Sequence, residues 1–223
     1  MSGSTLSYGA ERQEVVAAIR RLEETSVLSR SGHANLSARA SDDRMLLTTS
    51  GMVRDVTPSD MAVVGLDGTA IEGMLDPTNQ EIVEMHSRVY RLRPEVGGIV
   101  HTHAPWLLSF AMANQVLPAR YEALLRFGQA VDVPVVPWAP RGSDASVSGI
   151  VDAFRQEPGT KAVLLGNHGV LVVGESPLAA AALLAVLEEA AEAELTGRAI
   201  GGAKDLPLDA LGSIRQAMAV HGA

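Results

Sequence analysis

The stretch Ile99-Val100-His101-Thr102-His103 places two imidazoles one residue apart at the end of an apolar run. Successive side chains of a β-strand point to opposite faces, so His101 and His103 would share one face and hold a metal ion between them. The simpler interpretation is a pair of hydrogen-bonded histidines at a sheet edge. The run predicts a buried strand over residues 97–102, and the pair raises a metal site as a hypothesis.

A third histidine, His168, lies in the sequence Gly166-Asn167-His168-Gly169 between two apolar runs that predict strands. A glycine-flanked turn can bring this side chain to the ends of neighbouring strands. Three histidines with an open fourth position describe a catalytic metal site rather than a structural one. The chain has six histidines, and we predict the other three, His33, His86 and His221, to be ordinary polar residues.

The composition favours one large α/β domain, since 47% of the 223 residues are hydrophobic. A formal net charge of -8 leaves no basic stripe for nucleic acid, so we expect a small-molecule partner. The chain has no cysteine, which excludes a thiolate nucleophile and suits a reducing cytoplasm. Its most apolar segment, Leu178 to Leu187, is too short to span a bilayer. We expect a soluble cytoplasmic protein without a membrane partner.

Hydrophobic periodicity predicts alternating helices and strands. The predicted helices cover residues 11–28, 76–92, 105–114, 146–156, 176–195 and 208–220. The predicted strands cover residues 36–39, 44–49, 61–65, 69–72, 97–102, 161–165 and 170–173. The proline-containing run 133–138 suits either an edge strand or an extended loop. An Asp67-Gly68 turn predicts a hairpin between the third and fourth strands.

Five ordered motifs of this chain resemble those of the class II aldolase/adducin family, and together they cover roughly residues 10 to 200. They are Gly32-His33-Ala34-Asn35-Leu36-Ser37, Thr49-Ser50-Gly51, Pro77-Thr78-Asn79, His101-Thr102-His103-Ala104-Pro105 and Asn167-His168-Gly169. The resemblance implies one domain over residues 1–223, a three-layer α/β/α fold with a mainly antiparallel central sheet. It also implies a homotetramer with the active site between neighbouring subunits.

The resemblance further implies a metal-dependent carbon–carbon lyase of aldolase type that acts on a small hydroxy or oxo substrate, a sugar phosphate or an oxo acid. It makes His101, His103 and His168 the ligands of a divalent metal, with zinc expected and manganese, iron and cobalt as alternatives. Such a metal stabilises an enediolate when a C–C bond breaks. Two other functions stay open: a non-haem iron oxygenase or decarboxylase on the same scaffold, and a non-catalytic adducin-like interaction module.

The proton-transferring carboxylate implied by the resemblance is Glu81, which follows the Pro77-Thr78-Asn79 motif. Relatives carry this acid four residues before a helix histidine, whereas Glu81 precedes His86 by five. Glu81 also stands three residues after Thr78, the spacing of a capping box at a helix start. Glu84 is the second candidate for the acid.

Small polar residues in three loops match positions that bind a substrate phosphate in the family. Backbone and side-chain donors in such loops suit an anion, whether phosphate or carboxylate, although glycine and serine also simply make turns. The residues carried over are Asn35, Ser50, Gly51, Thr78 and Asn79.

The segment from Val135 to Ser143 departs from the family pattern. Trp138 stands where family aldolases carry a tyrosine proton donor, and indole cannot perform a phenol's proton transfer. Arg141 either binds a substrate carboxylate bidentately or is a surface residue. This departure favours a related lyase or decarboxylase acting on an oxo or hydroxy acid.

Overall fold

A computed structural model describes residues 6–221, apart from the side chains of Thr78 and His221. Within that range the helices are α1 (Gly9–Glu24), α2 (Gln80–Leu92), α3 (Pro105–Ala113), α4 (Glu122–Arg126), α5 (Asp144–Gln156), α6 (Pro177–Gly197) and α7 (Ala210–His221). The strands are β1 (Ala34–Ser41), β2 (Arg44–Thr48), β3 (Met61–Gly65), β4 (Ala70–Glu72), β5 (Gly98–Thr102), β6 (Val135–Val136), β7 (Ala162–Leu165) and β8 (Gly169–Gly174). Short 3-10 helices at Pro77–Asn79 and Arg198–Ile200 adjoin α2 and α6.

The eight strands form one sheet in the order β4-β3-β2-β1-β5-β8-β7-β6. Neighbouring strands are antiparallel, except that β6 and β7 are parallel. Helices α1, α3 and α6 pack on one face, and α2 and α5 pack on the other. The expected three-layer α/β/α fold with a mainly antiparallel central sheet is confirmed.

Most predicted elements are present, with shifts at their ends. Helix α1 ends at Glu24, four residues before its predicted end. Helix α6 begins as predicted, because Ser176 Oγ accepts a hydrogen bond from the Ala179 N–H and Pro177 occupies the first turn. Helix α4 was not predicted, since five residues are too few to show a helical period. Among the helices of residues 6–221, none combines the length and the apolar composition of a membrane-spanning segment.

Strand β5 carries His101 and lies between β1 and β8. Its residue Val100 belongs to the core beneath α1 and α6, whereas Ile99 belongs to the core beneath α2 and α5. Side chains alternate along a strand, so His101 lies on the α2/α5 face. Its cross-strand neighbours are Asn35 on β1 and Leu171 on β8.

The start of helix α6 crosses β5 at Gly98. A Cβ atom on Gly98 would lie 2.1 Å from the backbone nitrogen of Pro177, a distance that real Cβ atoms do not show. Only glycine therefore lets the helix lie this close to the strand. The crossing holds β5 in place at Gly98, three residues before His101.

We expect Gly98→Ala to lower the free energy of unfolding by about 3 kcal/mol, because the helix must move away from the strand. Urea denaturation measures the loss. The matched control is Gly212→Ala in α7, where no heavy atom lies within 4 Å of the added methyl. This control should be neutral or slightly stabilising, and equal losses in the two variants would contradict the close-crossing explanation.

Candidate metal centre

The three predicted ligands converge at one end of β5. His101 lies in the strand, His103 follows its last residue, and His168 lies in the turn between β7 and β8. One ring nitrogen from each lies within 4.8 Å of the other two. The ring centroids are 5.3 Å apart for His101 and His103, 4.9 Å for His101 and His168, and 5.2 Å for His103 and His168.

A backbone hydrogen bond fixes the tautomer of His101. Its Nδ1 lies 2.9 Å from the carbonyl oxygen of Val170 on the neighbouring strand β8. A carbonyl oxygen only accepts, so Nδ1 carries the hydrogen and Nε2 carries the lone pair. This is the arrangement that orients metal-binding histidines in proteins.

His103 presents a nitrogen that lacks a protein partner. Its Nε2 is buried and makes no hydrogen bond within the described part of the chain. Buried polar atoms in folded proteins are almost always paired, so this nitrogen calls for a partner from outside the described chain. The other side of the ring stacks on His33, with centroids 5.6 Å apart and planes inclined by 9°.

The surroundings keep the three imidazoles neutral. Burial, followed by the neighbouring imidazoles, lowers the pKa of His101 well below its ordinary value. Burial and then the neighbouring His168 imidazole lower the pKa of His103 to about 4. Burial also lowers the pKa of His168, against the opposing effect of the Glu81 carboxylate. Metal binding requires the neutral ring, so no proton has to be displaced at neutral pH.

Glycine is required beside the trio. A Cβ atom on Gly169 would lie 2.7 Å from Cδ2 of His103 and 2.6 Å from the carbonyl oxygen of Thr102. Asn167 has φ 55°, a left-handed conformation that asparagine tolerates better than most residues. The turn therefore presents His168 while leaving room for His103. The donor set, the lone pair of His101 and the unpaired nitrogen of His103 together fit one divalent cation.

The predicted acid Glu81 lies beside this trio. Glu81 and His168 line the same cavity, which has a volume of about 50 Å³ and also borders Trp138. The Glu81 carboxylate accepts hydrogen bonds from Ser146 Oγ at 2.8 Å and from Arg141 Nε at 3.2 Å. It therefore connects α2 to α5 and to the preceding loop.

The second candidate acid, Glu84, has a different environment. Its carboxylate pairs with Arg88 one turn further along α2, at 2.7 Å. Glu84 does not line the cavity that Glu81 shares with His168. Of the two carboxylates, Glu81 is the one beside the histidines.

The loop that carries the predicted anion-binding residues Ser50 and Gly51 is bonded to Asn79 and to Ala34, the neighbour of Asn35. The Gly51 carbonyl accepts a hydrogen bond from the Ala34 N–H at 3.0 Å, and Asn79 Nδ2 donates to the Thr49 carbonyl at 2.9 Å. Ser50, between these two carbonyls, is exposed. The side chain of Thr78 lies outside the part that the structure describes. Arg141, with 62% of its side chain exposed, is bound to Glu81.

Two histidines that were predicted to be ordinary polar residues are not. His86 is fully buried on α2, with Nε2 2.7 Å from Asn35 Oδ1 and Nδ1 2.6 Å from Ser37 Oγ. His33 stacks on His103, one of the three predicted ligands. The signal for His86 was its four-residue spacing from Tyr90, which places both side chains on one helix face. The side chain of His221 lies outside the described residues.

Comparison with known proteins identifies the family. Residues 13–195 match the model described as the Class II Aldolase and Adducin N-terminal domain. The chain belongs to the class II aldolase and adducin family. Its fold superposes on L-fuculose 1-phosphate aldolase with a TM-score of 0.82 and 25% identity, covering 97% of this chain and 100% of that one.

Two relatives of this protein are named for different reactions. The 5-deoxy-D-ribulose 1-phosphate aldolase of Bacillus thuringiensis serovar kurstaki is 27% identical over 95% of this chain and 97% of its own length. The 3-oxo-tetronate 4-phosphate decarboxylase of Pectobacterium atrosepticum is 32% identical over 71% of this chain and 72% of its own. Its family and its aldolase relatives show that this protein is an enzyme of the lyase class.

We expect His101→Ala, His103→Ala and His168→Ala each to abolish stoichiometric binding of zinc, because two imidazoles leave the ion too few protein ligands. Metal content after equilibrium dialysis measures the loss. The matched control is His33→Phe, which keeps a flat ring against His103 without its nitrogens. This control should retain one zinc ion, and its loss would show that the site does not consist of the three histidines alone.

Proposed function

We propose that this lyase cleaves a carbon–carbon bond next to a ketone in a small phosphorylated substrate, with a divalent metal held by His101, His103 and His168. The convergence of three neutral imidazoles, one with an unpaired buried nitrogen, carries the proposal. A bound divalent cation supplies Lewis-acid stabilisation of the negative charge that develops on the substrate oxygens. Zinc is the expected ion, because it suits nitrogen ligands with an open fourth position.

Glu81 is proposed to transfer the proton. In aldol cleavage the substrate hydroxyl loses its proton, and the electrons of the broken bond stay on the carbon beside the carbonyl. That carbon later takes up a proton. Glu81 supports this role because it shares a cavity with His168, while Arg141 and Ser146 hold its carboxylate in place.

The substrate's anionic group is proposed to bind at Asn35, Ser50, Gly51, Thr78 and Asn79. Support comes from the hydrogen bonds that hold the Ser50 loop against the start of β1. Asn79 would act mainly through this loop, because its amide already donates to the Thr49 carbonyl. Arg141 is proposed as a further contact for a substrate carboxylate, through the guanidinium N–H groups other than the Nε–H that donates to Glu81.

The substrates in the two relatives' names lead to one shared product. Cleavage of 5-deoxy-D-ribulose 1-phosphate between C3 and C4 gives acetaldehyde and dihydroxyacetone phosphate. Loss of carbon dioxide from 3-oxo-tetronate 4-phosphate also gives dihydroxyacetone phosphate. Both reactions leave the same electron pair next to the same ketone, so one site can serve either. Trp138 at the cavity supports decarboxylation as the second candidate, because indole offers no phenol-like proton donor.

Incubation of the zinc-loaded enzyme with each substrate separately tests the proposal. Acetaldehyde release supports the aldolase, carbon dioxide release supports the decarboxylase, and both should stop after metal removal by a chelator. Oxygen consumption with the iron-loaded enzyme would instead support the oxygenase alternative. Failure to release any fragment from either substrate would contradict the lyase proposal for these compounds.

We further propose a cytoplasmic homotetramer with the site at a subunit boundary. Exposed apolar side chains near the site support this, with Trp138 62% and Met112 55% exposed in the single chain. The absence of cysteine suits a reducing cytoplasm. Light scattering coupled to size-exclusion chromatography measures the mass, and a monomer would contradict the assembly.

We expect Glu81→Gln to lower kcat by about 10²- to 10⁴-fold, because a neutral amide cannot accept the proton. The matched control is Glu84→Gln, one turn along the same helix, which should stay within about twofold of the parent. Steady-state kinetics on the substrate that turns over gives both values. Similar losses in the two variants would contradict the assignment of the acid to Glu81.

A further inference from the structure

A chain of four buried polar side chains reaches the candidate site from the core. His86 and Tyr90 lie one turn apart on α2, and Asn35 and Ser37 lie on the same face of β1. The Tyr90 hydroxyl is 2.9 Å from Ser37 Oγ. Ser37 Oγ is 2.6 Å from His86 Nδ1, and His86 Nε2 is 2.7 Å from Asn35 Oδ1. Each of the four is at most 4% exposed.

Burial decides how many hydrogens the His86 ring carries. Burial lowers the pKa of His86 to about 3, so its ring is neutral, with one N–H and one lone pair. If one ring nitrogen donates, the other must accept. All three hydrogen bonds between the four side chains therefore point in the same direction, from donor to acceptor.

Tyr90 sets that direction. Within the described residues, Ser37 Oγ is the one hydrogen-bond partner of the Tyr90 hydroxyl. If Tyr90 accepted from Ser37, its own hydrogen would be left unpaired in the core, which folded proteins avoid. Tyr90 therefore donates to Ser37, and Ser37 donates to His86 Nδ1. His86 Nε2–H then donates to Asn35 Oδ1.

The direction of these hydrogen bonds decides whether Asn35 offers its amide N–H or its amide oxygen. Its Oδ1 is occupied by His86, and its Nδ2 has no acceptor in the part of the chain that the structure describes. Asn35 is the cross-strand neighbour of the ligand His101, on the same face of the sheet. The Gly51 carbonyl accepts a hydrogen bond from the N–H of Ala34, the residue just before Asn35. The unused donor therefore belongs to the candidate site.

We propose that Tyr90, Ser37 and His86 are positioning residues that hold Asn35 as a hydrogen-bond donor toward an anionic group of the substrate. This inference rests on the proposed function, in which Asn35 contacts the substrate's anion. A reversed chain would turn the Asn35 carbonyl oxygen outward, and that oxygen would repel an anion. The phenol in the core thus selects anionic ligands through two intervening side chains.

The tautomer of His86 is the first test. Nitrogen-15 NMR of the histidine-labelled protein should show the Nε2–H tautomer for His86. The Nδ1–H tautomer would overturn the proposal, since the chain would then run the other way. In Tyr90→Phe the two tautomers should mix, whereas Tyr121→Phe, a control at an exposed tyrosine, should leave His86 unchanged. No change in Tyr90→Phe would overturn the role of the phenol.

A double-mutant cycle with inorganic phosphate as the probe is the second test. His86→Phe should weaken phosphate binding to the zinc-loaded protein by about fivefold, measured by calorimetry. In the Asn35→Ala background the same change should alter binding by less than about twofold, because His86 acts through Asn35. Equal losses in both backgrounds would overturn the proposal, and so would a parent protein that binds no phosphate.

A conservative variant keeps the test decisive if His86→Phe does not fold. His86→Gln can still donate to Asn35 and accept from Ser37, so it should bind phosphate more tightly than His86→Ala. Equal binding by these two variants would overturn the proposal. Neither the NMR nor the calorimetric measurement depends on turnover. Failure of the proposed lyase reaction is therefore distinguishable from failure of this inference.

Discussion

The hydrogen bond from His101 Nδ1–H to the Val170 carbonyl is the contact on which the site depends. It joins the histidine of β5 to the backbone of β8 at 2.9 Å, so the sheet itself sets the tautomer of His101. With Nδ1 occupied, the lone pair of Nε2 is left free for the metal ion that we propose to bind between the three histidines. The short turn before β8 then brings His168 to the same place.

Glycines allow this arrangement at the points where backbone must approach backbone or an imidazole. Gly98 lets α6 cross β5, Gly169 leaves room for His103, and a Cβ atom on Gly51 would lie 2.8 Å from the His33 ring. The His33 ring in turn stacks on His103. The positions of the three histidines therefore depend on small residues that have no reactive side chain themselves.

Strand patterning and the five motifs predicted the sheet, its covering helices and the meeting of the three histidines. They could do so because alternation along β5 and a glycine-flanked turn are local properties of the sequence. The hydrogen-bond partners of His86 could not be predicted in this way. Its partners Asn35 and Ser37 are about 50 residues away in the chain, at separations of 51 and 49 residues. Only the packing of α2 on β1 brings them together.

The same limit applies to Glu81. Its sequence position suggested both a catalytic acid and a capping residue, and its spacing from His86 differed from the expected pattern by one residue. The structure places its carboxylate against Ser146 and Arg141, which come from a distant part of the chain. Glu81 lines the same cavity as His168.

The central claim is that His101, His103 and His168 hold one divalent metal ion. An anomalous difference map from crystals of the zinc-loaded protein, collected on both sides of the zinc absorption edge, tests it most directly. The account predicts a single strong peak within bonding distance of one nitrogen from each histidine, about 2.1 Å. A peak elsewhere, or no peak among the three rings, would contradict it.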